Sequence, residues 1–533
     1  MCATAPNETR NVKSSEHILD KVKSINQGHQ GWGTRHTFVV LGFLGFVLCY
    51  ALRFNLSIAI VKMVHPRSEA DSSSSAKFNK TNTVPQSSGS QQICPRKLDN
   101  FALSNFTGNM HNSLTNQSFP HVYNSMSERQ FDWTEEQQGT LLGGFFWGYV
   151  LTQYPGGKLS HVYGPKWVFS CGILITGVLS LIIPVVTVTF DVVGLVIVRF
   201  LQGLAEGVTL PSILVMLSHW SPVEERGRMT NWLLAGIPIG TAVIMIAGGY
   251  LINLFGWPSV FYCTGIATLI WFVFWGLMVF DTPSKHPRIT NEELKYIQSN
   301  LTGLTTQENI PTPWKSILSS LPVWAIFIAD FGDSWSHYLL HVEIPIYLSS
   351  VHGFDIETNG WFSALPQLMN CTLGICVAFL TDFIISRKYL TVITTRRVCS
   401  TMALWGASAG FIGMICGGCN TIVAVVSLNF AAAISGTSNS GWVVNHIEIV
   451  PNHAGTISGV ANSVGNILGF VAPYVTGLIL QNNSTLLGWQ MALAIPAILS
   501  FSVSLFYLAF SSSEEQPWNK PKEEASLESS NMA

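Results

Sequence analysis

Residues 198–222, VRFLQGLAEGVTLPSILVMLSHWSP, put an arginine and a glutamate inside a segment otherwise apolar enough to cross a membrane. On a helix Arg199, Gln202 and Glu206 stand at i, i+3 and i+7 and share one face, while Gly203 and Gly207 let a neighbouring backbone come close. An ionised side chain at bilayer depth costs about 3 kcal/mol or more, so such residues face a watery cavity or a partner charge. Two readings follow: a solute or proton pathway, or a structural ion pair that locks two helices.

The rest of the chain has the composition that this stretch requires. Its 533 residues are 48% apolar and 11% charged, with a mean hydropathy of +0.34, whereas soluble domains are roughly a quarter charged. The chain is therefore read as an integral membrane protein. A formal charge of −2 offers nothing to nucleic acid. Of ten cysteines, Cys171, Cys263, Cys371, Cys376 and Cys399 fall in or beside apolar spans, where a thiol packs as a small hydrophobe. The CGGC pair Cys416 and Cys419 has no second pair to complete a metal site.

Apolar segments long enough for a hydrocarbon layer of roughly 30 Å fall near 37–63, 138–156, 166–186, 191–217, 229–254, 257–280, 321–348, 357–385, 398–417, 421–444, 455–480 and 487–510. That makes twelve spans, divided six and six by the charged stretch 281–320. The expected organisation is a tail 1–36, a six-helix bundle 37–280 with a polar loop 64–137, a middle loop 281–320, a second six-helix bundle 321–510 and a polar tail 511–533. The tail 1–36 shows no apolar core followed by a small-residue cleavage site, so no removable signal peptide is expected. Arg53, in LRFNLSIAIV of the first span, is a second buried cation.

Loop chemistry orients the spans. The first loop carries three sequons, at Asn79, Asn105 and Asn116, which are candidate glycosylation sites on a lumenal or extracellular face. Connections on the other side hold Lys158, Lys166, Arg226, Arg228, Lys285, Arg288, Lys295, Lys315, Arg387, Lys388, Arg396 and Arg397, while the short connections on the loop side hold no Lys or Arg. The basic side is expected to be cytosolic, with both termini and the middle loop. The membrane is either the plasma membrane or that of a lysosome or vesicle, and no acidic dileucine signal chooses between them.

Twelve spans in two groups of six resemble the all-α major facilitator fold, whose halves rock about a midplane site. The turns GGKLSHVYGPKW and FLTDFIISRKYL resemble that family's short latch loops; Asp382 stands in the second, and His161 replaces the usual aspartate in the first. FFWGYVLTQ at 145–153 with Pro155-Gly156-Gly157, then RFLQGLAEGVTLP, HWSPVEERGRM and NHIEIVP, are similar to the anion-cation symporter branch of sialin, the vesicular glutamate transporters and the sodium-phosphate cotransporters. The likeness covers nearly everything except the tails and first loop. It implies a secondary active transporter of a small anion, an organic carboxylate or inorganic phosphate, working by alternating access and coupled to H+, to Na+ or to membrane potential.

The resemblance also implies roles for residues. Arg53 and Arg199 match arginines that face the cavity and bind the anion, as a planar, permanently charged guanidinium can. Glu206 matches an acid used in coupling or gating. Gln202 replaces sialin's second glutamate and agrees with the glutamate transporters, whereas Leu142 replaces a histidine of the latter. Asn445, His446 and Glu448, the last in place of an aspartate, match a segment that caps the cytosolic gate of the second half. Tyr149, Trp147 and Asn439 are candidate cavity liners, or residues that pack helices.

The seventh span, ADFGDSWSHYLLHVEIP, differs most from these relatives. Asp330, Asp333, His337 and His341 fall on one helical stripe, and Asp333 stands where the glutamate transporters have an arginine. Asp333 and His337 are expected to form a proton or sodium coupling site; the alternative is hydrogen bonding between helices. No cofactor beyond the coupling ion, no metal and no nucleic acid are expected, and the protein is expected to work as a monomer in the bilayer. No nucleotide loop or Ser-His-Asp signature suggests an enzyme. The competing function is a transport-inactive sensor or scaffold of the same fold, which would not need the cavity charges.

Overall fold

The computed structural model describes residues 33–64, 129–222, 225–301, 313–450, 454–482 and 485–519. The three sequons lie outside the described residues. In the first half the helices are α1 (Thr34–Met63), α2 (Glu135–Tyr163), α3 (Pro165–Glu206), α4 (Thr209–Trp220), α5 (Arg226–Leu234), α6 (Gly236–Phe255) and α7 (Pro258–Met278). The middle loop carries α8 (Asn291–Leu301) and α9 (Trp314–Ser319). The second half holds α10 (Leu321–Tyr338), α11 (Ile344–Ser350), α12 (Ile356–Ser386), α13 (Val392–Gly417), α14 (Thr421–Ser435), α15 (Trp442–Ile449), α16 (Ala454–Asn482) and α17 (Leu486–Phe510).

Among the described residues nine helical runs are long and apolar enough to count as spans, yet the described helices make twelve crossings. One of the nine, Pro165–Trp220, is two crossings. Its turning point is Asp191, whose backbone leaves the helix at φ 51° and ψ −140°. An aspartate tolerates this because its carboxylate accepts a 2.6 Å bond from Trp133 Nε1. The proof of reversal is Gln202 Nε2, which donates to Thr176 O at 3.1 Å across the doubled-back pair. The other two crossings, α2 and the run from α10 to α11, are too polar to stand out by composition. α2 starts at a capping box in which Thr134 Oγ1 accepts from Gln137 N and the Gln137 side chain returns the bond.

Two spans depart from regular α-helix at depth. The seventh passes through a π-helical turn, Leu339–Glu343, between α10 and α11. The tenth breaks into a 3-10 segment, Gly436–Ser440, before α15 resumes. Such breaks free backbone groups in a medium without water and are tolerated where protein or a cavity satisfies them. The ninth span begins at residue 392, six residues before the apolar run, since Thr391 caps it by accepting from Thr394 N at 3.3 Å.

The halves meet at the end from which the first loop emerges. There α2 crosses α16 with Gly139 and Gly143 against Pro473 and Phe470, and α6 crosses α12 with Gly249 against Ile356 and Gly360. A Cβ on Gly143 would stand 2.6 Å from a Phe470 ring carbon, so the absence of a side chain sets the closeness of the seam. Asn253 Nδ2 donates to Glu357 Oε1 at 2.5 Å and Trp361 Nε1 to the Tyr250 hydroxyl at 3.0 Å across it. One apolar cluster runs through from Phe54 and Phe146 to Tyr338, Ala364 and Leu468. At the opposite end α8 is tied to the start of α1, where Glu293 accepts from Thr34 N, Thr34 Oγ1 and Arg35 N at 3.0–3.1 Å.

Candidate transport site

Arg53 and Glu206 form the centre. Residue 53 lies past the middle of α1 and residue 206 ends α3, midway along the fourth crossing, and both charges are buried in the first half, 4% and 0% exposed. Arg53 Nε and Nη2 both donate to Glu206 Oε1, at 2.8 and 2.6 Å. The second carboxylate oxygen, Oε2, is buried with no hydrogen-bond partner. Aromatic faces surround the guanidinium: the rings of Tyr50 and Tyr149 each lie 4.4 Å from it and that of Phe145 5.1 Å. Such faces hold a cation while giving its N–H groups no acceptor, which leaves an anion in the plane as their natural partner.

Arg199 does a different job in this conformation. Its Nη2 donates to Arg53 O at 2.8 Å, and its Nη1 to Gln202 Oε1 at 3.1 Å and Leu52 O at 3.4 Å. It clamps the first span to the fourth through backbone carbonyls. Gln202 is fully engaged as well, accepting from Arg199 and donating to Thr176 O. The two arginines thus do not converge on an empty pocket: one is paired with Glu206 and the other is bonded to the chain that carries the first.

The seventh span contributes the facing wall. His337 is exposed although it stands well inside a span, and its ring stacks on His341 at 3.7 Å between centroids. His341 Nδ1 lies 2.6 Å from His337 O. A carbonyl only accepts, so His341 carries its proton on Nδ1. The ring of His341 in turn packs on Phe54 of the first span at 5.7 Å. The expected Asp333–His337 unit does not form: no ion pair joins them, and Asp333 instead approaches Ser438 of the broken tenth span. His337 and Asp333 are one helical turn apart, and the choice between two equally spaced partners fell to His341 because its ring is fixed by the backbone bond.

Of the remaining candidates, Tyr149 is buried against Arg53 and Asn439 is exposed inside the second half. Trp147, 40% exposed, packs edge-on to Phe470 at 4.6 Å and belongs to the seam. At the far end from the seam, Glu448 Oε1 accepts from Arg396 Nε and Nη2 at 3.0 and 2.7 Å, and Arg396 Nη1 donates to Ser440 O at 2.7 Å. Asn445 Nδ2 donates to the Tyr507 hydroxyl at 3.0 Å. The side chain of His446 lies outside the described residues. Asp382 is exposed near the end of α12. In the first-half turn, where His161 replaces the usual acid, Asp281 supplies a carboxylate from the end of the sixth crossing: its Oδ1 accepts from Lys166 N at 3.0 Å, opposite Gly164 at φ 87°.

Sequence reading passed over Tyr50, whose spacing of three from Arg53 signals the stacking, and Asp281, which only the fold brings to the turn. Cys419, read from the sequence only as half of the CGGC pair, is disulfide-bonded while Cys416 is free, so the CGGC turn does not close on itself.

A helical frame of twelve crossings in two halves, closed at one end around buried charges, is that of a polytopic secondary transporter. Residues 101–473 match the Major Facilitator Superfamily. Human sialin is 33% identical over 91% of this chain and 90% of its own length, and vesicular glutamate transporter 3 of Danio rerio is 33% identical over 93% and 76%. Among solved structures, an inward-facing bacterial homolog of the human lysosomal transporter Spinster superposes with a TM-score of 0.62 at 12% identity, covering 91% of this chain and 98% of that one. A D-xylose-proton symporter gives 0.59 at 14% identity, over 90% and 98%. The chain belongs to the major facilitator superfamily, in the anion-cation symporter branch with sialin and the vesicular glutamate transporters. It is a multi-pass membrane transporter and not an enzyme.

Proposed function

We propose that this protein carries a small anion, an organic carboxylate or inorganic phosphate, together with a proton, and that the anion binds Arg53 by displacing Glu206. The observation that carries the reading is the Arg53–Glu206 pair itself, in which a single carboxylate oxygen receives both guanidinium donors and the other oxygen is left without a partner. Glu206 acts as an internal stand-in for the cargo. When an anion takes its place, an ionised Glu206 would remain buried and unpaired, at a cost of about 3–5 kcal/mol. A proton on Glu206 removes that cost, so anion and proton enter together. After release, the re-formed ion pair lets the empty carrier return.

His337 and Asn439, exposed in the interior, form the second-half wall against which the cargo rests, and Tyr149 holds the guanidinium in plane. Closure at the seam of α2 with α16 and α6 with α12 gives a state open towards the ends that bear Glu448 and Asp382, where the Arg396–Glu448 pair serves as a gate. We assign that open side to the cytosol with both termini. The basic residues of its connections support this, and so does the disulfide at Cys419 on the opposite side, because disulfides persist in oxidising compartments. The oxidising side is then lumenal or extracellular, where Asn79, Asn105 and Asn116 would be glycosylated.

The test is uptake into proteoliposomes of radiolabelled phosphate, glutamate, sialic acid and aromatic carboxylates under separate proton and sodium gradients. One anion is expected to accumulate under an inward proton gradient, and an Arg53→Gln protein that reaches the membrane is expected to lose this. If no anion moves under any gradient or potential, the transport reading fails and a sensor of the same fold replaces it.

A further inference from the structure

We infer that the second half holds a sodium site, built by Asp330, Asp333, Ser334 and Ser438 between the seventh, tenth and eleventh spans. Both carboxylates lie deep in a membrane span, and neither forms an ion pair with a described residue. Asp330 is 8% exposed, and its Oδ2 has no hydrogen-bond partner. That oxygen points towards Gly465 of α16: a Cβ built there would stand 3.3 Å from it and 2.6 Å from Ser334 Oγ. Ser334 Oγ donates to Asp330 Oδ1 through a long 3.3 Å bond, the contact of a hydroxyl free to turn and offer its lone pairs elsewhere. Glycine at 465 therefore keeps open a space edged by a carboxylate oxygen and a hydroxyl.

The third wall is the broken tenth span. Ser438 lies in the 3-10 segment Gly436–Ser440, within reach of Asp333. Unwound backbone and hydroxyl oxygens beside intramembrane carboxylates are the donor set that secondary transporters present to Na+. The donors are all hard oxygens, and four such side chains fall short of the roughly six to eight oxygens that Ca2+ takes; Na+ with one carboxylate ionised and the other protonated leaves the site without net charge. A proton alone would need one carboxylate and no such surround. Asp333 is only half-buried, so an ion can reach its carboxylate. This site lies in the other half from Arg53 and Glu206 and does not depend on the anion reading.

The experiment measures binding of radioactive 22Na+ to the purified full-length protein by scintillation proximity, without any anion substrate, so its outcome is separate from that of the uptake panel. Wild type is expected to bind saturably, with the label displaced by unlabelled Na+ and not by K+. Asp330→Asn and Asp333→Asn are each expected to weaken binding tenfold or more. Gly465→Ala, which keeps every ligand residue but puts a methyl group 2.6 Å from the present position of Ser334 Oγ, is expected to weaken it at least threefold; it and Ser334→Ala decide the matter if an Asn variant fails to run as a single peak in gel filtration. Absence of saturable binding by wild type, equal displacement by K+, or unchanged affinity in the folded variants would each overturn the proposal.

Discussion

Replacing Glu206 by glutamine separates a coupling acid from a purely structural ion pair. In wild type the cargo must compete with a carboxylate that accepts two charge-assisted bonds of 2.8 and 2.6 Å from Arg53 in a fully buried place. Breaking a buried pair of this kind costs about 3–5 kcal/mol. A glutamine oxygen still accepts from Arg53, but the amide carries no charge, so the competitor is weakened without leaving a cavity. If the lower figure is recovered as anion affinity, binding tightens by about two orders of magnitude, since ~1.4 kcal/mol is tenfold. The pH dependence changes too. Where Glu206 must gain a proton before the anion binds, apparent affinity in wild type falls up to about tenfold per pH unit on the alkaline side; glutamine cannot exchange a proton, so the slope vanishes. The assay is anion binding and counterflow in proteoliposomes from pH 5 to 8, using the anion that the uptake panel identifies. Glu206→Gln is expected to exchange anion with a flat pH profile and to lose accumulation under a proton gradient. A variant that folds and keeps the wild-type slope, or binds the anion more weakly at every pH, would refute the displacement mechanism and return the pair to a structural role.

Other outcomes follow from the same geometry. Asn253→Cys combined with Glu357→Cys places two thiols across the α6–α12 seam, where the native side chains meet in a 2.5 Å hydrogen bond; a short bis-thiosulfonate cross-linker should hold the seam shut and stop transport, and reductant should restore it. Arg199→Ala removes two bonds that tie the fourth span to the first and a third to Gln202 of its own helix; at about 1.5–3 kcal/mol for each bond to a charged group, thermal unfolding in detergent should drop by many degrees, whereas a direct cargo ligand would lower affinity without lowering stability. His352, in the turn after α11, is pushed down to about 4 by burial, with its ring between the Tyr347 and Thr421 hydroxyls. A histidine lowered in the folded state favours folding when neutral, so its contribution is present above about pH 6.5 and is lost as pH falls from there towards 4; a His352→Gln protein should lose less stability than wild type across that window in thermal melts. Mass spectrometry after alkylation without reductant should find Cys416 modified and Cys419 protected.

The twelve crossings were legible because bilayer thickness forces apolar runs of fixed length, and the six-plus-six division followed from the charges at 281–320. Where the reading had to infer contact between helices it was weaker, for a physical reason. Arg199 and Glu206 share a face on one helix but stand two turns apart, about 10 Å along the axis, so each needs a partner from elsewhere. Nothing in the local sequence says that α1 supplies Arg53 to the acid and backbone carbonyls to the other arginine. The seventh span makes the same point at closer range: His337 has Asp333 one turn before it and His341 one turn after it, and spacing alone gives the two equal claims. The π-turn at Leu339–Glu343 and the break at Gly436–Ser440 settle the matter by turning His341 onto His337 and bringing Ser438 to Asp333.

That redistribution bears on how the halves are coupled. With Asp333 committed to the tenth span, the seventh span meets the first half through rings instead: His341 on Phe54 and Tyr338 on Phe146. A cation held by Asp330 and Asp333 would therefore act on the anion through the seventh span, whose π-turn lies between the acids and the seam and whose His341 ring rests on Phe54, one residue from Arg53. Any shift of that span on ion binding moves the His341 ring against the first span at the level of the cargo. The physical connection between the two sites is thus a packed aromatic contact, and its strength should be set by the size of residue 341 more than by its charge.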